Sequence, residues 1–141
     1  KGVSLLIAGG GGDLKNKLEA KGNKLLGSSR FQIIQVPYEK MPEVYRVANL
    51  FTLASNPTES FGNVIVEAMA TNLPIVATDD PIRKEIVEDA GLFVDPTDTN
   101  LFAETIEKAL ETNWGDKPRK QTEKFDWDIP SRRYEGLIKT L

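Results

Sequence analysis

Neither cysteine nor histidine occurs among the 141 residues of this chain. The first absence excludes disulfides, thiol nucleophiles and thiolate-bound metals. The second removes imidazole acid–base chemistry, and together they leave a zinc site without its usual ligands. No run of eighteen or more apolar residues is present, so no segment has the length of a transmembrane helix. No signal-peptide pattern opens the chain. Basic residues are not in excess either: 18 Lys and Arg against 21 Asp and Glu give a formal charge of −3. With no basic stripe to collect phosphates, nucleic acid is not an expected partner. Chemistry is left to carboxylates, Lys and Arg, hydroxyls and backbone amides.

What remains is the composition of an ordinary globular protein, 40% apolar and 28% charged. The length suits one domain spanning residues 1–141. Apolar runs of four to six residues alternate with helical patterns across short turn signals. They predict strands over 4–8, 32–36, 50–55, 74–78 and 92–94, and helices over 13–26, 41–48, 62–71, 81–88 and 100–112. Strands apolar throughout, each followed by a helix, imply an α/β fold: a doubly wound, Rossmann-like parallel sheet of about five strands with helices on both faces. Pro42 and Pro81 suit first turns of helices, and Gly91 suits a turn just beyond a helix end. From Trp114 onward the pattern changes to a C-terminal helical tail. Lys117-Pro118-Arg119-Lys120 is basic and expected on the surface, and Phe125-Asp126-Trp127-Asp128 sets two aromatics beside a helix start. Tyr134, Leu137, Ile138 and Leu141 form one apolar stripe. That helix is expected to dock either on this domain or on one outside the chain.

The most informative segment runs from Glu59 to Glu67. It follows a buried-strand pattern and opens an apolar-rich helix. The first amides of a helix lack backbone partners and sit at the positive end of its dipole, which makes the loop an anion site. Two carboxylates eight positions apart, about 12 Å along a helix axis, then flank that site. A ligand with phosphates in the middle and a hydroxyl-rich sugar at each end matches the layout, and a nucleotide-sugar is such a ligand. The plainer reading of Glu59 and Glu67 is a solvated pair on a helix surface. Against it, Gly62 admits a ligand close to the backbone, and Glu67 shares its helix with core residues.

Two other positions carry two readings each. Gly9-Gly10-Gly11-Gly12 follows the first strand, but G-x-G-x-x-G fails at Leu14, and a P-loop fails because Lys15 follows Leu14 and precedes Asn16. It is either a tight, permissive turn or a loop kept small for a ligand or a neighbouring domain. Val36-Pro37-Tyr38 ends the second strand at the carboxyl edge, where ligands lie in open α/β sheets. It either flanks a nucleobase or forms a plain turn with a surface Tyr.

Ser55-Asn56-Pro57-Thr58-Glu59-Ser60-Phe61-Gly62-Asn63-Val64-Ile65-Val66-Glu67-Ala68-Met69-Ala70, followed by Pro74-Ile75-Val76-Ala77-Thr78, resembles the donor-site signature of the retaining GT-B glycosyltransferases of family 4 (group 1). Leu5-Leu6-Ile7-Ala8-Gly9-Gly10-Gly11, Glu85, Gly91 to Asp98, and Phe125 to Asp128 with Tyr134 resemble further parts of the same domain. The resemblance implies that Glu59 holds donor-sugar hydroxyls and serves catalysis. It implies that Glu67 binds ribose hydroxyls and that the amides of Ser60, Phe61, Gly62, Asn63 and Val64 face the diphosphate. Val36 and Pro37 are the candidate base contacts. No cofactor or metal is implied, because cationic side chains and helix amides would neutralise the leaving diphosphate. Also implied are a donor-binding domain lacking its start, a partner N-terminal acceptor domain from the same parent chain, and a cytoplasmic location with any membrane association arising through that other domain. The fragment alone is expected to be inactive. Asn72 stands where the family usually has Gly, and Asp80-Pro81 stands where it often has Gly-Gly. The alternative, from a different class, is a non-catalytic α/β binding or regulatory module; a receiver-like carrier fits less well, because glycines replace the clustered aspartates it needs.

Overall fold

The segment Pro74-Ile75-Val76-Ala77-Thr78 is apolar up to its final threonine, the pattern of a strand covered on both faces. In the computed structural model every residue of the strand it forms, β4 (Ile75–Thr78), is buried. The structure describes residues 2–9, 12–55 and 61–139. The chain divides into two compact units, Lys1–Val44 and Tyr45–Leu141.

In the second unit β4 is the middle strand of a parallel sheet, between β3 (Phe51–Leu53) and β5 (Gly91–Val94). Alternation along β4 divides the core. Val76 joins Val94 and Ala109 on the face covered by α5 (Thr99–Glu111), where Phe102, Ile106 and Trp114 pack around them. Ile75 and Ala77 point to the opposite face, towards α3 (Asn63–Ala70) and α4 (Pro81–Val87), which bury Ile65, Ala68, Met69, Ile86 and Val87. Each large aliphatic side chain buried in this way contributes about 1.5–3 kcal/mol. Helices thus cover both faces, and aspartates start two of them. Asp80 accepts from the Arg83 amide ahead of α4, and Asp98 accepts from the Asn100 and Leu101 amides ahead of α5.

Gly91 does not form the expected turn. It is the first residue of β5, with extended backbone, opposite Ile75. A Cβ there would lie 2.3 Å from the Ile75 carbonyl oxygen and 2.8 Å from Val87 Cγ1. Close approach of β4 and α4, rather than turn geometry, therefore requires the glycine.

The basic segment after Trp114 is also not simply a surface run. It forms α6 (Lys117–Thr122), which buries Pro118 and Gln121 while its charges stay exposed. Gln121 Nε2 donates to the Ile86 carbonyl at 3.0 Å. Lys117 pairs with Asp89 at 3.0 Å and Lys124 with Glu88 at 2.8 Å. These lysines hold both carboxyls below their ordinary range, chiefly by hydrogen bonding. Their stabilisation is present above the ordinary carboxylate pKa and is lost as the pH falls through the depressed values. Helix α7 (Asp128–Ile138) has no buried residue, and Trp127, Tyr134, Leu137 and Ile138 are all exposed. The apolar stripe expected there is present and lies open; Leu141 falls outside the described residues.

In the first unit β1 (Leu5–Ala8) pairs in parallel with β2 (Phe31–Ile34), and α1 (Lys15–Leu26) connects them. Phe31 is the one buried side chain among the described residues of this unit. A 3₁₀ turn, Tyr38–Lys40, leads into α2 (Met41–Arg46). All five expected strands and five expected helices form, with ends shifted by a few residues, and every strand pairing is parallel. Among the described residues β1 and β2 pair in the first unit and β3, β4 and β5 in the second, and with the helices between them they make the expected α/β fold.

The contact at Gly91 has a measurable consequence. Gly91→Ala is expected to destabilise the chain by about 1–3 kcal/mol through overpacking, read by urea denaturation. Gly136→Ala on exposed α7, where a Cβ meets nothing, is expected not to destabilise it.

Candidate functional site

Ser55 is held at the exit of β3 by two neighbours. The Thr78 hydroxyl, at the end of β4, donates to the Ser55 carbonyl at 2.8 Å and accepts from its amide at 3.1 Å. Arg83 Nη2 donates to Ser55 Oγ at 3.0 Å. Arg83 is fully buried and lies 3.4 Å from Asp80 Oδ2, while Asp80 Oδ1 accepts from the Arg83 backbone amide. The Asp80-Pro81 departure from the glycine pair is thereby explained: Asp80 caps α4, Pro81 fills the first helical position, and the cap carries a buried cation that reaches Ser55. Ser55 and Thr78 thus share the carboxyl edge, as the parallel-sheet reading required.

Residues 56–60 lie outside the described residues, and Glu59 and Ser60 are among them. The chain is described again from Phe61, whose ring meets Phe125 edge-on at 5.7 Å. Gly62 is the N-cap of α3, with φ of 76° in the left-handed region. A Cβ at Gly62 would make only ordinary contacts, at 3.6 Å and beyond, so backbone conformation and not space selects glycine. No described side chain caps α3. Asn63 and Val64 follow in the first turn, both exposed, and their amides have no residue four positions earlier within the helix to bond to. Glu67 lies one turn beyond Asn63, on the same face. It is half-buried and accepts a hydrogen bond from Tyr45 Oη at 2.9 Å. Tyr45 went unnoticed in the sequence, where the only local signal was its place on α2 ahead of β3.

Asn72, the other departure, adopts φ of 69° just after α3, the conformation glycine would otherwise supply. It also does what glycine cannot. Its amide nitrogen donates to the Gly115 carbonyl at 2.8 Å, and its oxygen accepts from the Arg119 amide at 3.2 Å, tying α6 to the end of α3.

In the first unit, Val36 and Pro37 lie beyond the carboxyl end of β2. Val36 is half-buried and Pro37 exposed, leading into the 3₁₀ turn that carries exposed Tyr38. Gly9 is at the same end of that sheet, its amide bonded to the Ile34 carbonyl at 2.9 Å. Gly10 and Gly11 lie outside the described residues. Among the described residues no group of three or more acidic side chains is placed to hold a metal.

The family model for glycosyl transferases group 1 matches residues 1–125. The chain belongs to that family. Among curated relatives, this glycosyltransferase chain is 33% identical over 98 residues to the O-antigen chain mannosyltransferase B of Escherichia coli, covering 66% of this chain and 26% of the relative. It is 27% identical to the phosphatidyl-myo-inositol mannosyltransferase of Mycolicibacterium smegmatis, over 99% of this chain and 37% of that protein. The solved sucrose-phosphate synthase from Thermosynechococcus elongatus superposes with a TM-score of 0.79 at 24% identity, over 97% of this chain and 38% of that one. This similarity is one of fold, the GT-B fold, while membership of the glycosyltransferase family rests on the family match. The chain spans about a quarter to two-fifths of the length of these proteins.

Arg83 gives a stability test at this edge. Arg83→Leu is expected to destabilise the chain by about 3–5 kcal/mol, because Asp80 is left as an uncompensated buried carboxylate. Adding Asp80→Asn, which keeps a capping oxygen and removes the charge, is expected to recover much of that loss in chemical denaturation.

Proposed function

We propose that this chain binds the nucleotide-sugar donor in a retaining sugar transfer carried out by its parent protein. One observation supports this most. The first turn of α3 begins at a left-handed glycine with no described side-chain cap, and a positioned carboxylate, Glu67, follows one turn later on the face of Asn63. Amides from Ser60 to Val64 would take the diphosphate, as helix N-termini take anions. Glu67 would accept from ribose hydroxyls. Glu59 would hold the donor sugar's hydroxyls and support charge development at the anomeric carbon.

In that reaction the bond from the anomeric carbon to the terminal phosphate oxygen breaks, and the acceptor oxygen bonds to the same face of the carbon. The acceptor proton leaves with the nucleoside diphosphate. Preorganised amides stabilise the charge that develops on the leaving group. The donor class follows from a site that pairs an anion-binding helix start with carboxylates for hydroxyls. The acceptor is proposed to be held by a further domain of the parent, a reading supported by relatives several times longer than the matched region.

Binding is tested by titration calorimetry with UDP, GDP and ADP. One of them is expected to bind weakly, and Glu67→Ala to weaken it by roughly 1–3 kcal/mol, the loss of a charge-assisted hydrogen bond. Absence of binding by all three at millimolar concentration rejects a donor site in the chain. Catalysis is tested in the parent protein: Glu59→Gln is expected to lower kcat much more than it changes donor KM, the signature of an interaction made mainly in the transition state. A variant that keeps full kcat removes Glu59 from the mechanism. A parent that binds donor without turnover supports a non-catalytic module instead.

A further inference from the structure

Tyr45 is the residue at this site that the proposed donor contacts leave without a part. It is 5% exposed. Its ring meets Phe51, the first residue of β3, edge-on with centroids 5.9 Å apart and planes at 71°. Phe51 is itself fixed, because its amide donates to the Pro74 carbonyl and it stands opposite Ile75 in the ladder. The ring is therefore set by the sheet, and its hydroxyl reaches Glu67 Oε2 at 2.9 Å.

A glutamate on a helix face has three rotatable bonds, and a ligand that uses it must bear the entropy of ordering it. A hydroxyl donated to one carboxylate oxygen removes part of that burden and fixes the plane of the group. Glu67 is also half-buried among core neighbours, where a charged acceptor gains from a buried donor.

We propose that Tyr45 is a positioning residue for ribose recognition, its hydroxyl orienting the Glu67 carboxylate towards the two ribose hydroxyls of the bound nucleotide. This rests on the donor-site reading above. Tyr45 does not touch the ligand in this scheme; it acts through Glu67. Selectivity for a ribose over a sugar lacking those hydroxyls then depends on a contact between α2 and α3 rather than on Glu67 alone.

The experiment measures dissociation constants of the chain for UDP, GDP and ADP and for their 2′,3′-dideoxy counterparts. Tyr45→Phe keeps the ring against Phe51 and removes only the hydroxyl. It is expected to weaken the ribose nucleotide about fivefold to tenfold while leaving the dideoxy form unchanged. In a Glu67→Ala background the same substitution is expected to have no further effect. Glu67→Asp, which keeps the charge but withdraws the carboxylate from Tyr45, is expected to lose ribose-dependent affinity as well. Equal weakening of ribose and dideoxy forms by Tyr45→Phe assigns it a general packing role and overturns the proposal. So does full affinity in Tyr45→Phe or Glu67→Asp when Glu67→Ala is impaired, an outcome that leaves the donor site standing. Full affinity in Glu67→Ala removes Glu67 from the site, and absence of any nucleotide binding rejects the donor site itself; the proposal falls in either case.

Discussion

The burial of β4 on both faces is the constraint from which the second unit follows. A strand with no solvent side must be covered by helices above and below and paired on both edges, since a buried unpaired amide is costly. β3 and β5 supply the pairs, α5 covers one face, and α3 with α4 cover the other. Close packing on the second face leaves no room for a side chain at residue 91, where the Ile75 carbonyl would meet a Cβ.

The same arrangement places the polar groups of the candidate site. Parallel strands end together, so Ser55 and Thr78 meet at the carboxyl edge and bond to each other. Helices entering from that edge present their amino ends to it: α4 with an aspartate cap and α3 with a bare, left-handed glycine. The difference between these two starts carries chemical weight. Asp80 caps its own helix and holds the buried Arg83, whereas no described side chain caps the first turn of α3. Tyr45 and Arg83 act alike in one respect, each reaching from a buried position to a residue bordering or facing the proposed ligand region, Glu67 in one case and Ser55 in the other.

The departures from the resemblance are structural substitutions. Asn72 takes the left-handed conformation and uses its amide to secure α6, and Asp80-Pro81 replaces a flexible glycine pair with a capped, rigid helix start. The docked α6 and the exposed apolar face of α7 show how differently two short C-terminal helices behave. Pro118 and Gln121 are buried, with Gln121 bonded to the Ile86 carbonyl near the end of α4, while Trp127, Tyr134, Leu137 and Ile138 are exposed.

The sequence by itself determined what is local. Apolar runs marked the five strands, Pro81 and Pro42 marked helix starts, and the spacing of Glu59 and Glu67 around Gly62 marked the candidate site. Each of these is encoded within a few residues, through periodicity, φ restriction or amide satisfaction. Tertiary structure decided what depends on distant partners. The Tyr45–Glu67 hydrogen bond spans 22 positions and the Arg83–Ser55 bond 28, and no periodicity links residues so far apart. The reason for Gly91 and the burial of Pro118 belong to the same class. In each, the deciding quantity is the distance to a neighbour that only the packed chain brings near.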